Sequence, residues 1–188
     1  MNSKEFLTSY LNDFSNLVKP DEKIVQKLAE VADLLKLVHN SGNKTLIFGN
    51  GGSASIASHF SVDLTKNAGL RCVNFNEADL ITCFANDYGF ERWVEKAVDF
   101  YGDAGDLLIV ISSSGSSKNM LNGVKAARNG KFQTVVTLSG FELDNPLRQL
   151  GDINLWVDSK AYNFVENIHQ IWLLAIVDLI IGKSEYTA

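Results

Sequence analysis

The chain opens with two stretches in which apolar residues recur at helical spacing. The first runs from Phe6 to Val18 and the second from Ile24 to Val38, and Pro20 lies between them. Apolar positions three and four residues apart place one face of a helix against a core. The pattern predicts an N-terminal helical extension over residues 1–40, before any strand. Because the first helix falls outside the repeating pattern that follows, we expect it to pack on another subunit.

From Lys44 onward, short continuous apolar runs alternate with stretches of helical periodicity, and continuous runs are typical of strands covered on both faces. The predicted strands are 45–48, 72–75, 107–111, 134–138 and 153–157. The predicted helices are 53–66, 80–100 with a break near Gly89, 117–129 and 162–181, and 141–146 is interpreted as a turn into a short helix. This alternation predicts a flavodoxin-like α/β fold, with five parallel strands in the order 2-1-3-4-5 flanked by helices.

The composition fits one globular domain over residues 1–188. Hydrophobic residues make up 46% and charged residues 21% of the chain, and the formal net charge is −5. A negative balance disfavours the many basic contacts that nucleic acids require, so we expect no nucleic-acid partner. It says little about one small phosphate, because backbone amides hold an anion without any lysine.

The cysteines, the N-terminus and the apolar stretches of the sequence indicate the cellular compartment of the protein. The two cysteines, Cys72 and Cys83, form no disulfide framework, and we interpret both as reduced core residues. Residues 1–5 carry no basic start leading into an apolar segment, so we expect no signal peptide. The longest apolar stretch, Ile171–Ile181, is interrupted by Asp178 and is shorter than the ~20 residues of a membrane span. We therefore expect a cytoplasmic protein without a membrane partner.

A glycine-rich loop follows the first predicted strand. Gly51 and Gly52 let the backbone approach a ligand closely, and Asn50 and Ser53 flank them. Ser53 suits the N-cap of the next helix, whose free N–H groups attract anions. A plain tight turn explains the same loop. The sequence matches neither the lysine-bearing phosphate loop nor the dinucleotide fingerprint, so we expect no nucleotide cofactor.

A serine-rich loop, Ser112–Asn119, follows the third predicted strand. It has five hydroxyls in six residues, from Ser112 to Ser117. A flexible linker explains such a composition poorly here, because a buried strand ends at Ile111 and a helical pattern begins at once. Hydroxyls and amides at a strand–helix junction hold the oxygens of a phosphate. Since the loops after the first and third strands flank one crevice, both loops together predict one phosphorylated small-molecule ligand.

The residues form three motifs in a fixed order. They are Gly49-Asn50-Gly51-Gly52-Ser53-Ala54 followed by His59, then Ala85-Asn86-Asp87, then Ser112-Ser113-Ser114-Gly115-Ser116-Ser117-x-Asn119. Over nearly the whole chain this set resembles SIS (sugar isomerase) domains and, more narrowly, bacterial phosphoheptose isomerases. The resemblance implies a homotetramer with active sites at subunit interfaces. It implies conversion of sedoheptulose 7-phosphate to D-glycero-D-manno-heptose 7-phosphate through an enediol, feeding lipopolysaccharide or capsule synthesis.

The resemblance also assigns substrate-binding positions. The matching residues are Asn50, Gly51, Gly52, Ser53, Asp87, Ser112, Ser114 and Ser117, with Ser113 in a threonine-like position. Within this set, it implies phosphate binding by the serines of the second loop. It implies sugar contacts from the first loop and a carboxylate near the substrate from the motif between them.

The catalytic positions depart from the family pattern. The family uses a glutamate four residues after the histidine of the first loop's helix, and a histidine deep in the last helix; these positions are Asp63 and Leu174 here. Its glutamine position is Glu166, and His169 lies three residues later, so we expect these two side chains to share a face of the last helix. His59 and Asp63, four residues apart, are likewise expected to face one site. We predict Asp63, Glu166 and His169 as catalytic residues. Because the family often binds zinc here, His59, Asp63 and Glu166 are candidate zinc ligands.

Two hypotheses follow from these departures. In the first, Asp63, Glu166 and His169 rebuild the acid–base chemistry of an aldose–ketose isomerase. In the second, the chain is a non-catalytic SIS module that binds a phosphosugar or bridges proteins, like replication-initiator-associating members. A hydrogen-bonded interface role explains each of these side chains without any catalysis.

Overall fold

The computed structural model describes residues 2–185, and its elements follow the predicted order. The predicted span of 1–188 thus includes residues 1 and 186–188, which lie outside the described residues. The helices are α1 (Ser3–Leu17), α2 (Glu22–Asn40), α3 (Gly52–Lys66), α4 (Ala78–Tyr88), α5 (Trp93–Tyr101), α6 (Lys118–Asn129) and α7 (Tyr162–Ile181). The strands are β1 (Thr45–Gly49), β2 (Cys72–Asn74), β3 (Leu107–Ser112), β4 (Thr134–Ser139) and β5 (Ile153–Trp156).

The strands form one parallel sheet in the order β2-β1-β3-β4-β5, which confirms the predicted fold. The three central strands are buried along their whole length. Successive side chains of a strand point to opposite faces, and here both faces are apolar. Ile109 therefore packs into one hydrophobic cluster, with α2, α3 and α7, while Val110 packs into the other, with α5 and α6.

Local chemistry sets the ends of the helices. Asn2 and Glu5 form a reciprocal capping box at the start of α1, and the Asp21 carboxylate accepts the Ile24 N–H at the start of α2. The predicted break in the 80–100 segment is confirmed, because Gly89 ends α4 with a φ of +86°. A 3-10 turn at Phe90–Arg92 then leads into α5.

Two local predictions are wrong. The segment 141–146 is a turn as predicted, but no short helix follows it before β5, because the backbone folds around the buried Asn145 amide, which donates to the Gly140 and Glu142 carbonyls. Cys83 is not a core residue: it is exposed on α4, a helix without buried residues, whereas Cys72 is buried as predicted. Burial strongly raises the pKa of the Cys72 thiol, which keeps it protonated.

The last helix, α7, is apolar because it is a core element. By length and composition alone it is long and apolar enough to cross a membrane. One face of it, however, packs into the larger hydrophobic cluster. The side chains on this face that are fully buried include Val165, Ile168, Leu173 and Ile176. This packing explains the hydropathy of the helix without a membrane.

The first helix, α1, leaves apolar surface outside the protomer. It contains no buried residue, and Phe6, Leu7 and Leu11 are each more than half exposed. Its inner face contacts α7, where the rings of Tyr10 and Phe164 lie 4.5 Å apart. The packing of residues 1–40 in an oligomer stays a prediction. The exposed apolar face of α1 supports this prediction.

A buried carboxylate fastens the amino ends of β1 and β3. The side chain of Asp106 is 0% exposed; it accepts hydrogen bonds from the Lys44 and Asp103 N–H groups, the Asn43 amide and the Lys44 ammonium. Burial opposes ionisation of this group. The hydrogen bonds from Lys44 and from the two backbone N–H groups outweigh it and lower the pKa of Asp106.

We expect Asp106→Asn to lower the free energy of unfolding by about 2–3 kcal/mol at pH 7, since the new amide places N–H groups against other donors. Urea denaturation measures this change. The lowered pKa means that the wild-type contribution is complete above the unfolded pKa and is lost as pH falls through the folded value. Asp103→Asn is the control: this carboxylate is 77% exposed, and its loss should cost less than about 1 kcal/mol. Equal effects of the two variants would refute the account.

Candidate active site

The register of β1 on β3 brings the two predicted loops together. Gly49 pairs with Ile111 at the carboxyl edge of the sheet. Asn50 and Ser112 therefore leave the sheet side by side. In doubly wound folds this crevice is where ligands bind.

A reciprocal pair of amides joins the loops. Asn50 Nδ2 donates to Asn119 Oδ1 at 3.1 Å, and Asn119 Nδ2 donates to Asn50 Oδ1 at 2.8 Å. Asn119 is buried at the start of α6, while Asn50 is half-buried. Each amide of the pair keeps one N–H and one lone pair free. The pair thus fixes the glycine loop against the serine loop and leaves Asn50 able to bind a hydroxyl.

The serine loop is held open by a tight turn. Gly115 has a φ of +66°, and a side chain there would lie 1.9 Å from Asn145 Oδ1, so only glycine fits. Ser112 Oγ donates to Ser117 Oγ at 3.1 Å, which leaves the N-cap hydroxyl of α6 bound to the loop and not to its own helix. Within the described chain, no side chain caps the first N–H groups of α6. These groups face the loop as anion donors.

A small cavity of about 110 Å³ lies between the loops. Its lining consists of Asn50, Ser53, Ile111, Ser112, Ser113, Ser114, Ser117, Tyr162 and Glu166. The Ser113 hydroxyl is buried and has no hydrogen-bond partner among the described residues. This hydroxyl is therefore available as a hydrogen-bonding group to a ligand or a water molecule in the cavity. A larger groove of about 580 Å³ beside α2 contains none of the predicted site residues.

Glu166 enters the cavity from the first turns of α7 and lies against the glycine loop. A side chain at Gly52 would lie 2.3 Å from Glu166 Oε2, so the absence of one makes room for the carboxylate. Gly51 has a φ of +55° and turns the chain into α3, where the Ser53 side chain is buried. The structure therefore brings Asn50, Ser53, Glu166 and the predicted serines together, with Gly51 and Gly52 forming the backbone beside them.

His59 and Asp63 meet one turn apart on α3, as their spacing predicts. His59 Nε2 lies 3.2 Å from Asp63 Oδ2. Asp63 Oδ1 accepts a hydrogen bond from the Asn67 amide, and Gln170 of α7 lies 3.2 Å from His59 Nδ1. The pair sits on the outer surface of α3 and α7 and does not line the cavity.

Two other predicted residues lie away from the cavity. His169 is fully buried, and its Nε2 donates to the Ser139 carbonyl at 3.1 Å. Burial lowers the pKa of His169 to about 4, against the opposing effect of that hydrogen bond, so the ring is neutral at pH 7. Asp87 is exposed on α4 beside Cys83 and Asn86. The roles predicted for His169 and Asp87 stay predictions.

Three residues near the site were not predicted from the sequence. Tyr162 lines the cavity, Asn145 braces the serine loop, and Gln170 binds His59. Tyr162 follows β5 at the start of α7, so the rule that ligands bind beyond strand ends points to it. Asn145 and Gln170 are recognisable only from tertiary contacts.

The zinc prediction has little support in this donor set. Over residues 2–185, no group of three or more His, Cys, Asp and Glu side chains is placed to hold one metal ion. His59 and Asp63 are bound to each other, Glu166 lies at the glycine loop, and Leu174 offers no ligand atom. We therefore assign no chemical step to a metal.

Comparison with known proteins identifies the class. A family model described as SIS domain matches residues 9–139, so the chain is a SIS-domain protein. A phosphoheptose isomerase of Fusobacterium nucleatum is 34% identical over 180 residues, covering 92% of this chain and 91% of that protein. One from Aliarcobacter butzleri is 33% identical, covering 94% of each.

Solved structures agree with this assignment. The phosphoheptose isomerase GmhA from Neisseria gonorrhoeae is similar with a TM-score of 0.89 and 29% identity, covering 96% of this chain and 100% of that one. A phosphoheptose isomerase from Francisella tularensis gives a TM-score of 0.87 and 27% identity, covering 97% of this chain and 100% of that one. The chain belongs to the phosphoheptose isomerase family, which confirms the resemblance seen in the sequence.

We expect Ser113→Ala to separate stability from binding. Removing a buried hydroxyl without a partner should raise the free energy of unfolding by about 1 kcal/mol in the absence of ligand. It should weaken the binding of inorganic phosphate about tenfold, the cost of one hydrogen bond to a charged group. Urea denaturation and calorimetric titration measure the two effects.

Ser55→Ala is the control, since Ser55 is exposed in the first turn of α3 and does not line the cavity. It should change neither quantity appreciably. A Ser113→Ala protein that binds phosphate as tightly as the wild type would show that this hydroxyl serves no ligand.

Proposed function

We propose that this protein is an aldose–ketose isomerase that converts sedoheptulose 7-phosphate to D-glycero-D-manno-heptose 7-phosphate. The observation that carries the proposal is the serine-lined cavity with its unpaired buried Ser113 hydroxyl, at the crevice between β1 and β3. Membership of the phosphoheptose isomerase family supports the choice of substrate.

The reaction needs proton transfers and no oxidant. A base removes a proton from C1 of the ketose while the C2 carbonyl oxygen gains one, which gives the enediol. The C1 hydroxyl then loses its proton as C2 gains one, and the aldose results. One carboxylate or imidazole that faces C1 and C2 carries out the carbon step, and a second group shuttles the hydroxyl protons.

The described residues supply two kinds of group: donors for the phosphate and carboxylates for the proton transfers. Ser112, Ser113, Ser114 and Ser117 hold the phosphate with the N–H groups of α6. We assign the proton transfers to Glu166, which lines the cavity, and to Asp63, whose position His59 and Asn67 fix from either side.

In this proposal the site extends beyond one protomer, and a homotetramer completes it. The exposed apolar face of α1 supports this assembly, since Phe6, Leu7 and Leu11 are each more than half exposed. Asp63 and Asp87 do not line the cavity, so a sugar that reaches either of them must extend out of it. A cytoplasmic location and a role in surface-polysaccharide synthesis belong to the same proposal.

The direct test is turnover of sedoheptulose 7-phosphate, followed by anion-exchange separation of the ketose and the aldose. The wild type should convert the ketose to the aldose, and the assay is run both with a chelator and with added zinc. Glu166→Gln should lower kcat at least ~100-fold, the usual minimum for a positioned acid or base, and should leave the binding of inorganic phosphate nearly unchanged.

The outcomes separate the two hypotheses. Binding of the phosphosugar without turnover, both with chelator and with added zinc, would favour the non-catalytic SIS module. Turnover with zinc alone would contradict the metal-free assignment and would restore His59, Asp63 and Glu166 as candidate ligands. Asn163→Ala is the control for Glu166→Gln, since this exposed residue lies one turn earlier on α7.

A further inference from the structure

Gln170 of α7 forms a hydrogen bond with His59 of α3. It lies one turn after Glu166, and its Nε2 is 3.2 Å from His59 Nδ1 across the α3–α7 contact. His59 in turn contacts Asp63, whose second oxygen accepts from Asn67. Four side chains thus form one hydrogen-bonded string along the surface of the two helices.

With His59 neutral, the string has one consistent set of donors. His59 Nε2 donates to Asp63 Oδ2, so Nδ1 accepts, and the Gln170 amide presents its N–H to Nδ1. Both ring nitrogens of His59 and both oxygens of Asp63 therefore have partners.

We propose that Gln170 is a positioning residue of the isomerase site, which holds the His59 ring so that its N–H is aimed at Asp63. Asp63 is one methylene shorter than glutamate, and its two donors come from the same segment, His59 on α3 and Asn67 at the C-cap of α3. Among the described residues, Gln170 supplies the one side-chain hydrogen bond to this string from another element. This inference rests on the proposed function, because it assigns Asp63 a catalytic placement.

Gln170→Met removes the N–H and keeps the length and helix propensity of the side chain. We expect kcat for sedoheptulose 7-phosphate to fall about tenfold with KM nearly unchanged, because a misplaced group costs the chemical step more than binding. Gln170→Glu, which has the same length and no N–H to donate, should lose activity in the same way. Asn167→Met is the matched control, since the Asn167 amide binds only the backbone of its own helix.

A spectroscopic readout tests the contact without activity. The chain has three histidines, and the imidazole ¹⁵N signals that disappear in His59→Gln are those of His59. In the wild type we expect a protonated Nε2 and a hydrogen-bonded Nδ1. In Gln170→Met the Nδ1 signal should move to the position of a ring nitrogen bonded only to water, because His59 is half exposed, and in Asn167→Met it should stay.

The outcomes distinguish this inference from the proposed function. Absence of turnover in the wild type would overturn the proposed function, and the ¹⁵N spectra would still report the contact. A shifted Nδ1 signal with unchanged kcat would show that the contact exists and positions nothing in catalysis. An unchanged Nδ1 signal in folded Gln170→Met or Gln170→Glu would overturn the contact itself.

Discussion

The parallel pairing of β1 with β3 is the constraint on which the candidate site depends. It sets Gly49 opposite Ile111, so that the glycine loop and the serine loop begin side by side. The register is secure because both faces of these strands are buried, and a shift by one residue would send every side chain to the other face. The Asn50–Asn119 amide pair then joins the loops, and Asn145 supports the turn at Gly115.

This arrangement explains how a chain of net charge −5 provides a place for an anion. No Lys or Arg is among the residues that line the cavity. Serine hydroxyls and the N–H groups at the start of α6 take their place as donors. The acidic side chain of the cavity, Glu166, lies against Gly52 of the glycine loop. The charge of the whole chain therefore bears on nucleic-acid partners and not on a single phosphate.

Much of this was predictable from sequence because it depends on local patterns. Continuous apolar runs predicted the strands, and the residues after two strand ends predicted the loops that meet. The spacing of His59 and Asp63 predicted their contact. The same reasoning placed Glu166 and His169 on one face of α7, yet three residues turn a helix by about 300°, which leaves roughly 60° between them. That angle directs Glu166 to the cavity and His169 to the Ser139 carbonyl in the core.

What the sequence did not predict depends on distances between elements. Gln170 reaches His59 only because α3 and α7 pack together, and Asn145 braces Gly115 only because the loop after β4 folds back over β3. Neither residue belongs to a motif. The departures at Asp63 and Leu174 are visible in sequence, whereas their consequence, a His59–Asp63 pair closed by Asn67 and Gln170, is visible only in the fold.

The most direct test of the account is a crystal structure of the protein with sedoheptulose 7-phosphate bound. The account predicts phosphate oxygens about 2.5–3.0 Å from the hydroxyls of Ser112, Ser113, Ser114 and Ser117. It also predicts that the sugar leaves the cavity past Glu166 toward a second copy of the chain. A phosphate bound instead in the groove beside α2, against Lys19, Lys23 and Arg148, would contradict it.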